Sequence, residues 1–301
     1  MHTAVVRFLL ALAFSPLLFG IINRTKAFFA GRRGSPLLQL YYDLFKLLRK
    51  GAVYSTTTTW IFIFGPIISL CAVLTAALLV PFAGPSVISF EGDMILFIYL
   101  IGLARFFTVL AAIDTGSSFE GMGASREVQF AVFAEPALFL SLAALARVTG
   151  HISLSGIFSD QIISSWNSYG PMIFLVSGAL FIIFLAENSR IPVDDPNTHL
   201  ELTMIHEAMV LDHGGVDLAY ILFGASVKFW LLGSLLAGIF LRAGSGNWAA
   251  DNLIFISGMA VLSVIVGVVE SILARLRLLK VPHLLIIALA LSLVSIILTL
   301  R

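Results

Sequence analysis

Long runs of mostly apolar residues recur eight times along the chain, and each run is about as long as one crossing of a bilayer. A spanning helix needs about 20 such residues, because each residue adds about 1.5 Å along the helix axis. The runs are apolar all round, unlike the one-sided stripe of a surface helix. The pattern therefore predicts eight transmembrane helices, at residues 4–22, 60–80, 94–113, 128–148, 171–187, 218–241, 253–270 and 282–300.

The composition excludes a water-soluble protein. Of the 301 residues, 59% are hydrophobic and only 12% are charged, whereas soluble domains carry about 25% charged residues. The mean hydropathy is +1.02, and the net charge of +1 provides no basic surface of the kind that binds nucleic acid. We therefore expect one all-α, polytopic membrane domain over residues 1–301. Its cytoplasmic loops are predicted at 23–59, 114–127, 188–217 and 271–281.

The distribution of lysine and arginine predicts the orientation of the chain, because cytoplasmic connections carry an excess of these residues. The first, third, fifth and seventh connections hold twelve of them, whereas the other side holds about four. The twelve are Arg24, Lys26, Arg32, Arg33, Lys46, Arg49, Lys50, Arg126, Arg190, Arg275, Arg277 and Lys280. Both termini are accordingly expected on the non-cytoplasmic side, as an even number of crossings requires.

The first of these connections contains a short amphipathic segment at residues 37–50. Its polar residues, among them Gln39, Asp43 and Lys46, recur at helical spacing between leucines and aromatic residues. The spacing predicts a helix that lies in the plane of the membrane interface. Two roles remain open for this helix: it anchors the chain to lipid, or its polar face docks a soluble partner.

Acidic residues at the ends of apolar runs, or inside them, are the candidates for function. A charged side chain at bilayer depth costs at least about 2.5–3.5 kcal/mol on insertion scales, so such residues are usually paired or functional. One group surrounds the third connection and another the fifth. They comprise Asp114, Glu120, Arg126, Glu127 and Glu135, and Glu187, Arg190, Asp194, Asp195, Glu201 and Glu207.

Two charged residues lie within predicted helices, and each has two interpretations. Glu135 in the fourth helix is either part of a proton relay or a helix-packing hydrogen-bond acceptor beside a kink at Pro136. Lys228 in the sixth helix either neutralises one of the acids or titrates in a relay. The sequence alone leaves these alternatives open.

The sequence predicts no metal site in this chain. His199, His206 and His213 recur every seven residues, which is too far apart for three imidazoles on one helix to share an ion. Cys71 is the single cysteine, so the chain cannot build a cysteine-ligated cluster by itself.

Three charged segments together resemble subunit 1 of respiratory complex I and, more closely, its counterpart in group 4 membrane-bound [NiFe] hydrogenases of the formate hydrogenlyase and hydrogenase-4 type. The first segment is RRGSPLLQ at 32–39. The second comprises ARFF at 104–107, DTGSS at 114–118 and GASRE at 123–127. The third comprises AENSRIPVDDP at 186–196, THLELT at 198–203 and HEAM at 206–209. The resemblance covers most of the chain.

The resemblance implies a membrane subunit without an active site of its own, in the cytoplasmic membrane of a prokaryote. It would anchor a soluble arm and link electron transfer to the movement of protons or sodium ions. The implied partners are a [NiFe]-hydrogenase-like large subunit, an Fe–S small subunit, a ferredoxin-like Fe–S subunit and antiporter-like membrane subunits. The Fe–S clusters and the [NiFe] centre would belong to these partners.

The resemblance also implies roles for the charged residues. The expected proton path or coupling residues are Asp114, Glu127, Glu135, Glu187, Asp194, Asp195, Glu201, Glu207 and Lys228. The residues expected to dock partners or pair charges are Arg32, Arg33, Asp43, Lys46, Arg126 and Arg190.

Three other functions remain open at the level of sequence. A quinone-site subunit of a complex I-like oxidoreductase is the nearest alternative, although Asn197 and His199 occupy positions where complex I carries carboxylates. A stand-alone secondary ion transporter would use Glu135 and Lys228 as ligands. A scaffold without any ion path would use the charges only for docking.

Overall fold

The computed structural model describes residues 2–194, 204–241 and 247–300, and these residues form helices and connections without any strand. Asp195, His199 and Glu201 lie outside the described residues, as do Arg242 and Arg301. The helices are α1 His2–Phe29, α2 Gln39–Leu48, α3 Trp60–Leu79, α4 Asp93–Asp114, α5 Ser118–Thr149, α6 Leu154–Ile157, α7 Asp160–Ser164, α8 Trp166–Glu187, α9 His206–Met209, α10 Gly215–Phe240, α11 Trp248–Ile272 and α12 Val281–Leu298.

Eight helices within the described residues are long and apolar enough to cross a membrane, as the sequence predicts. They are α1, α3, α4, α5, α8, α10, α11 and α12, the last preceded by a single 3-10 turn at Leu278–Lys280. The all-α membrane fold class is therefore confirmed. The sidedness of the termini stays a prediction.

The loop predicted at 114–127 is much shorter than expected, because α5 already begins at Ser118. Beyond the bilayer a helix needs no apolar side chains, since its backbone hydrogen bonds are internal. Glu120 in the first turn also suits the positive end of the helix dipole. Glu127 and Glu135 consequently lie eight residues apart on one rigid helix, about two turns from each other on similar faces.

The spanning helices pack through small residues, which allow the backbones to approach closely. α3 packs along α4, α5 along α12, and α1 along α11. At the first of these contacts, a Cβ on Gly65 would lie 2.9 Å from the Cβ of Ala111. At the second, the buried hydroxyls of Ser141 and Ser292 lie 2.8 Å apart. This packing determines which polar side chains of different helices meet.

The amphipathic segment forms α2, which carries no buried residue and packs beside α1 and α10. Its Tyr41 hydroxyl donates a hydrogen bond to the carbonyl of Ala13 in α1. On the polar side, the Gln39 amide donates to the Asp43 carboxylate at 3.0 Å. Tyr42 and Phe45 are exposed. The position of α2 in the plane of a membrane stays a prediction.

A close backbone contact holds the chain that leads into α2 against α1. A Cβ on Gly20 would lie 2.0 Å from the carbonyl oxygen of Leu37, which is backbone and cannot rotate away. We expect Gly20→Ala to lower the free energy of unfolding by about 1–3 kcal/mol, as overpacking does elsewhere. Thermal unfolding in mild detergent measures this loss.

The matched control is Gly178→Ala, because a Cβ on Gly178 in α8 meets nothing within 4 Å. Alanine is the better helix former, so this variant should be at least as stable as the parent. Equal stability of the two alanine variants would show that the contact between Gly20 and Leu37 does not constrain the fold.

Candidate functional site

The side chain of Arg105 in α4 is the centre of the largest charged cluster in the described part of the chain. It is only 7% exposed, and its guanidinium binds three carboxylates. Its Nε lies 3.1 Å from Glu127, and its two terminal nitrogens donate to Glu135 and Glu187. Arginine suits this position because its planar group presents five donors in fixed directions.

Lys228 of α10 completes this group from the opposite side. Its ammonium lies 2.9 Å from the second oxygen of Glu187, whose side chain is 2% exposed. Glu187 is the last residue of α8 and therefore joins α4 to α10 through two cations. The first interpretation of Lys228, that it neutralises one of the acids, is the one this geometry favours. We name these five residues the Arg105 cluster: Arg105, Glu127, Glu135, Glu187 and Lys228.

A cavity of about 90 Å³ lies beside the Arg105 cluster and is lined by His206 and four members of the cluster, Arg105, Glu127, Glu187 and Lys228. One water needs about 10–15 Å³ of such space and two or more polar partners, so the cavity can hold several water molecules. Burial lowers the pKa of His206. Its imidazole is therefore neutral near pH 7, where one ring nitrogen donates a hydrogen bond and the other accepts.

Two charged residues hold the segment that carries His206 in place. The Asp194 carboxylate accepts hydrogen bonds from the backbone N–H of Ile205 at 3.3 Å and of His206 at 3.1 Å. It also pairs with Arg275 at 2.6 Å. From α5, the Arg126 guanidinium donates to the carbonyl of Met204 at 2.9 Å. Asp194 and Arg126 thus position α9 against the cluster.

A second charged group surrounds Glu270, which lies in α11 and is completely buried. Its carboxylate pairs with Lys26 at 2.8 Å and with Arg190 at 3.5 Å. The Arg190 guanidinium also stacks over the ring of Phe19, 4.3 Å from its centre. These contacts tie the chain that follows α8 to α1 and α11.

The remaining candidates belong to other segments of the chain. The buried Glu120 accepts a hydrogen bond from the backbone N–H of Asp212 at 3.2 Å, and Glu207 lies on α9. Arg32, Arg33 and Lys46 are exposed near α2.

Two central residues were not among the sequence candidates: Arg105 and Glu270. Both lie in apolar spans. The criterion that selected the acids, a charge at bilayer depth, would have selected both of them.

Asp114 has contacts typical of a helix cap. Its carboxylate accepts from the backbone N–H of Thr59 at 2.7 Å and of Phe62 at 3.3 Å, and from the Thr59 hydroxyl at 2.8 Å. These N–H groups belong to the start of α3, where they have no partner inside the helix. The geometry therefore gives Asp114 a role in joining α4 to α3.

We expect Asp114→Ala to lower the free energy of unfolding by about 1 kcal/mol, because the first turn of α3 loses its acceptor. Asp114→Asn keeps an oxygen acceptor and should lose little. Neither variant should change ion movement per turnover, measured in vesicles. If Asp114→Asn has normal stability but moves fewer ions per turnover, Asp114 belongs to the proton path after all.

No metal-binding group of three or more His, Cys, Asp or Glu side chains occurs in the described residues. His213 instead stacks flat on the ring of Phe62, with 3.9 Å between the ring centres. Burial lowers the pKa of His213 to about 4. This histidine is therefore an uncharged packing residue at neutral pH.

Comparison with known proteins agrees with the fold and the charged segments. The family described as NADH dehydrogenase matches residues 1–300. The chain belongs to this family. Two relatives from Escherichia coli (strain K12) are each 30% identical to this family member. Hydrogenase-4 component C aligns over 287 residues, 93% of this chain and 90% of the relative. Formate hydrogenlyase subunit 4 aligns over 280 residues, 91% of this chain and 90% of the relative.

More distant members of the NADH dehydrogenase family include a subunit of the NADH-quinone oxidoreductase of Ralstonia nicotianae. It is 27% identical over 228 residues, 71% of this chain and 61% of that protein. Among solved structures, a chain of the membrane-bound sulfane sulfur reductase, an archaeal respiratory membrane complex, has the same fold. The TM-score is 0.83 at 21% identity, over 99% of this chain and 98% of the other. The resemblance seen in the charged segments is confirmed.

Proposed function

We propose that this NADH dehydrogenase family member is the membrane anchor and coupling subunit of a complex I-related hydrogenase complex. The two 30%-identical relatives, named as a component of hydrogenase-4 and a subunit of formate hydrogenlyase, support the hydrogenase type. The observation that carries a coupling role is the Arg105 cluster, which joins α4, α5, α8 and α10 around the buried side chains of Arg105 and Glu187, beside a cavity large enough for water. A simple anchor does not need this arrangement, because charges that are removed from water are costly.

The proposed partners follow the family. A [NiFe]-hydrogenase-like large subunit, an Fe–S small subunit and a ferredoxin-like Fe–S subunit would form the soluble arm, and antiporter-like subunits would continue the membrane part. The metal centres would belong to the soluble arm. The excess of basic residues in alternate connections supports a position of that arm on the cytoplasmic side of a prokaryotic inner membrane. The proposed contacts with the soluble arm are made by Arg32 and Arg33, which precede α2, and by Asp43 and Lys46 within it.

The coupling mechanism that we propose works through charge. Three carboxylates share two cations in the Arg105 cluster, so the cluster carries one excess negative charge when all five residues are ionised. A movement of α9 on electron transfer would displace His206 and change the cavity beside the cluster. Because charged groups in a protein interior interact strongly, such a displacement changes how readily a carboxylate binds a proton. Protons or sodium ions could both respond to this change.

The proposal is tested by purifying the chain from its native membrane in mild detergent. Co-purifying subunits are identified by mass spectrometry, and hydrogen evolution and quinone reduction are assayed on the same preparation. Nickel–iron and Fe–S subunits with hydrogen activity support the hydrogenase anchor. Quinone reduction without hydrogen activity would replace it by the quinone-site alternative. A chain that purifies alone and moves ions in proteoliposomes would replace it by a transporter.

The geometry disfavours a quinone site in the cavity beside Arg105 as this chain alone encloses it. The cavity beside Arg105 is about 90 Å³, whereas pockets for organic ligands usually span about 300–1,000 Å³. A quinone head would need further walls from another subunit or a rearrangement of α9.

Glu135→Gln provides a direct test of coupling. Glutamine keeps a hydrogen-bond acceptor for Arg105 but cannot bind or release a proton. We expect assembly and hydrogen turnover to persist while ions moved per turnover fall several-fold. The matched control is Glu91→Gln, an exposed residue before α4. Unchanged ion movement in the Glu135 variant would remove this residue from the proposed path.

A further inference from the structure

Glu135 is exposed, although it lies within a helix that is long and apolar enough to cross a membrane. Its side chain is 43% exposed, whereas those of Glu127 and Glu187 are 18% and 2% exposed. It lies seven residues into the apolar part of α5, about 10 Å along the helix from Val128. One oxygen accepts from Arg105. The other makes no hydrogen bond within the described residues, so it is available to a further hydrogen-bond donor.

On α4 and α5, exposed apolar side chains recur at helical spacing on both sides of Glu135. Among them, Tyr99 is 73% and Val132 is 62% exposed. We name this surface the α4–α5 face, formed by Tyr99, Leu103, Phe106, Val128, Val132 and Phe139 with Glu135 among them. Lipid tails could cover the apolar side chains. They offer no hydrogen-bond donor, however, and leave the second oxygen of the carboxylate unsatisfied.

The formal charge of the Arg105 cluster indicates that it lacks one positive charge. Glu187 lies against both cations of the cluster, and the single guanidinium of Arg105 is shared among three carboxylates. Glu135 touches one cation through one oxygen only. One additional positive charge at its free oxygen would bring the formal charge of the cluster to zero.

We propose that the α4–α5 face binds a transmembrane helix of a second membrane subunit, and that this helix places a lysine or arginine against Glu135. The apolar side chains provide the packing surface, and the exposed carboxylate fixes the depth and rotation of the incoming helix. The inference rests on the proposed function in one respect: the chain is taken to work inside a membrane complex. The inference adds two details to that function: the face on which the membrane partner binds, and the basic residue with which the partner contacts Glu135.

The test is site-specific photo-crosslinking in native membranes that contain the whole complex. A photoreactive phenylalanine derivative replaces Val132 or Leu103 on the α4–α5 face. The matched controls are Leu253 and Val261 of α11, which are apolar and 69% and 58% exposed. We expect the first two positions to form an adduct with a spanning segment of another subunit. That segment should carry a lysine or arginine within one helical turn of the crosslinked residue, and the α11 positions should not yield it.

A second variant tests the recognition itself. Glu135→Leu should reduce the yield of the Leu103 adduct several-fold, and so should replacement of the partner's basic residue by leucine, whereas Val261→Leu should leave it unchanged. The proposal is overturned by lipid adducts alone, by an adduct with a second copy of this chain, or by a partner segment without a basic residue. If the hydrogenase arm co-purifies while Val132 captures only lipid, the anchor function stands and the docking face fails. If the predicted helix is captured but no hydrogenase arm co-purifies, the docking face stands and the hydrogenase anchor function fails.

Discussion

Replacing Arg105 by leucine is expected to have the largest effect on the stability of this protein. The substitution leaves Glu127, Glu135 and Glu187 close together without the guanidinium that holds them. Removing one partner of a buried ion pair costs about 3–5 kcal/mol, because an uncompensated charge remains in a poorly solvated site. Whole domains are stable by only about 5–15 kcal/mol. We therefore expect a marked fall in the thermal midpoint in detergent and little assembled complex in membranes.

Two controls separate charge from geometry in this experiment. Arg105→Lys keeps a positive charge, but a single ammonium cannot bind three carboxylates at fixed angles, so stability should be intermediate. Arg147→Leu removes an exposed arginine at the far end of α5, whose contact is a 3.3 Å hydrogen bond to the carbonyl of Thr299. It should have little effect. If Arg105→Leu is as stable as Arg147→Leu, the cluster does not hold the helices together.

The second large effect concerns the pair formed by Glu187 and Lys228. Glu187→Gln leaves the Lys228 ammonium facing a neutral amide, and Lys228→Met leaves Glu187 with Arg105 alone. Each single variant should lose about 3–5 kcal/mol, the cost of breaking a buried pair. The double variant leaves neither partner unpaired. Its loss should be smaller than the sum of the single losses by about 0.5–3 kcal/mol, the range seen for residues in contact.

Stability and ion movement should separate in this double-mutant cycle. The thermal midpoint of the double variant should recover relative to Glu187→Gln, whereas ions moved per turnover should stay low, because both titratable groups are absent. Additive stability losses would show that the two residues do not interact in the native complex. Normal ion movement in the recovered double variant would leave the pair a purely structural contact and would remove both residues from the coupling hypothesis.

The contacts of the candidate residues divide them into two kinds. The first kind meets at Arg105 beside the cavity and comprises Glu127, Glu135, Glu187 and Lys228. A change in the charge of one of these residues alters the electrostatic energy of the others. Asp114, Arg126, Asp194 and Arg190 instead bind backbone groups or close ion pairs that hold chain segments in position. Variants of the second kind should lower the stability of the protein more than they lower the number of ions moved per turnover.

The sequence by itself determined the number of spanning helices and the family. Transfer of a 20-residue apolar helix into lipid depends on composition and length, which are local properties that can be read from one stretch of chain. The same is true of the amphipathic pattern of α2. Family membership likewise depends on residues within the charged segments, such as AENSRIPVDDP at 186–196, and needs no knowledge of their contacts.

The tertiary structure decided which charges meet. Arg105 and Glu187 are 82 residues apart in the chain, and their contact requires particular rotations and depths of α4 and α8 that packing against neighbouring helices sets. The same packing gave Asp114 a capping role and left Glu135 half exposed on the α4–α5 face. Apolar runs that are uniform all round contain no signal for rotation about the helix axis. The partners of a charged residue in such a run are therefore settled only when the helices are assembled.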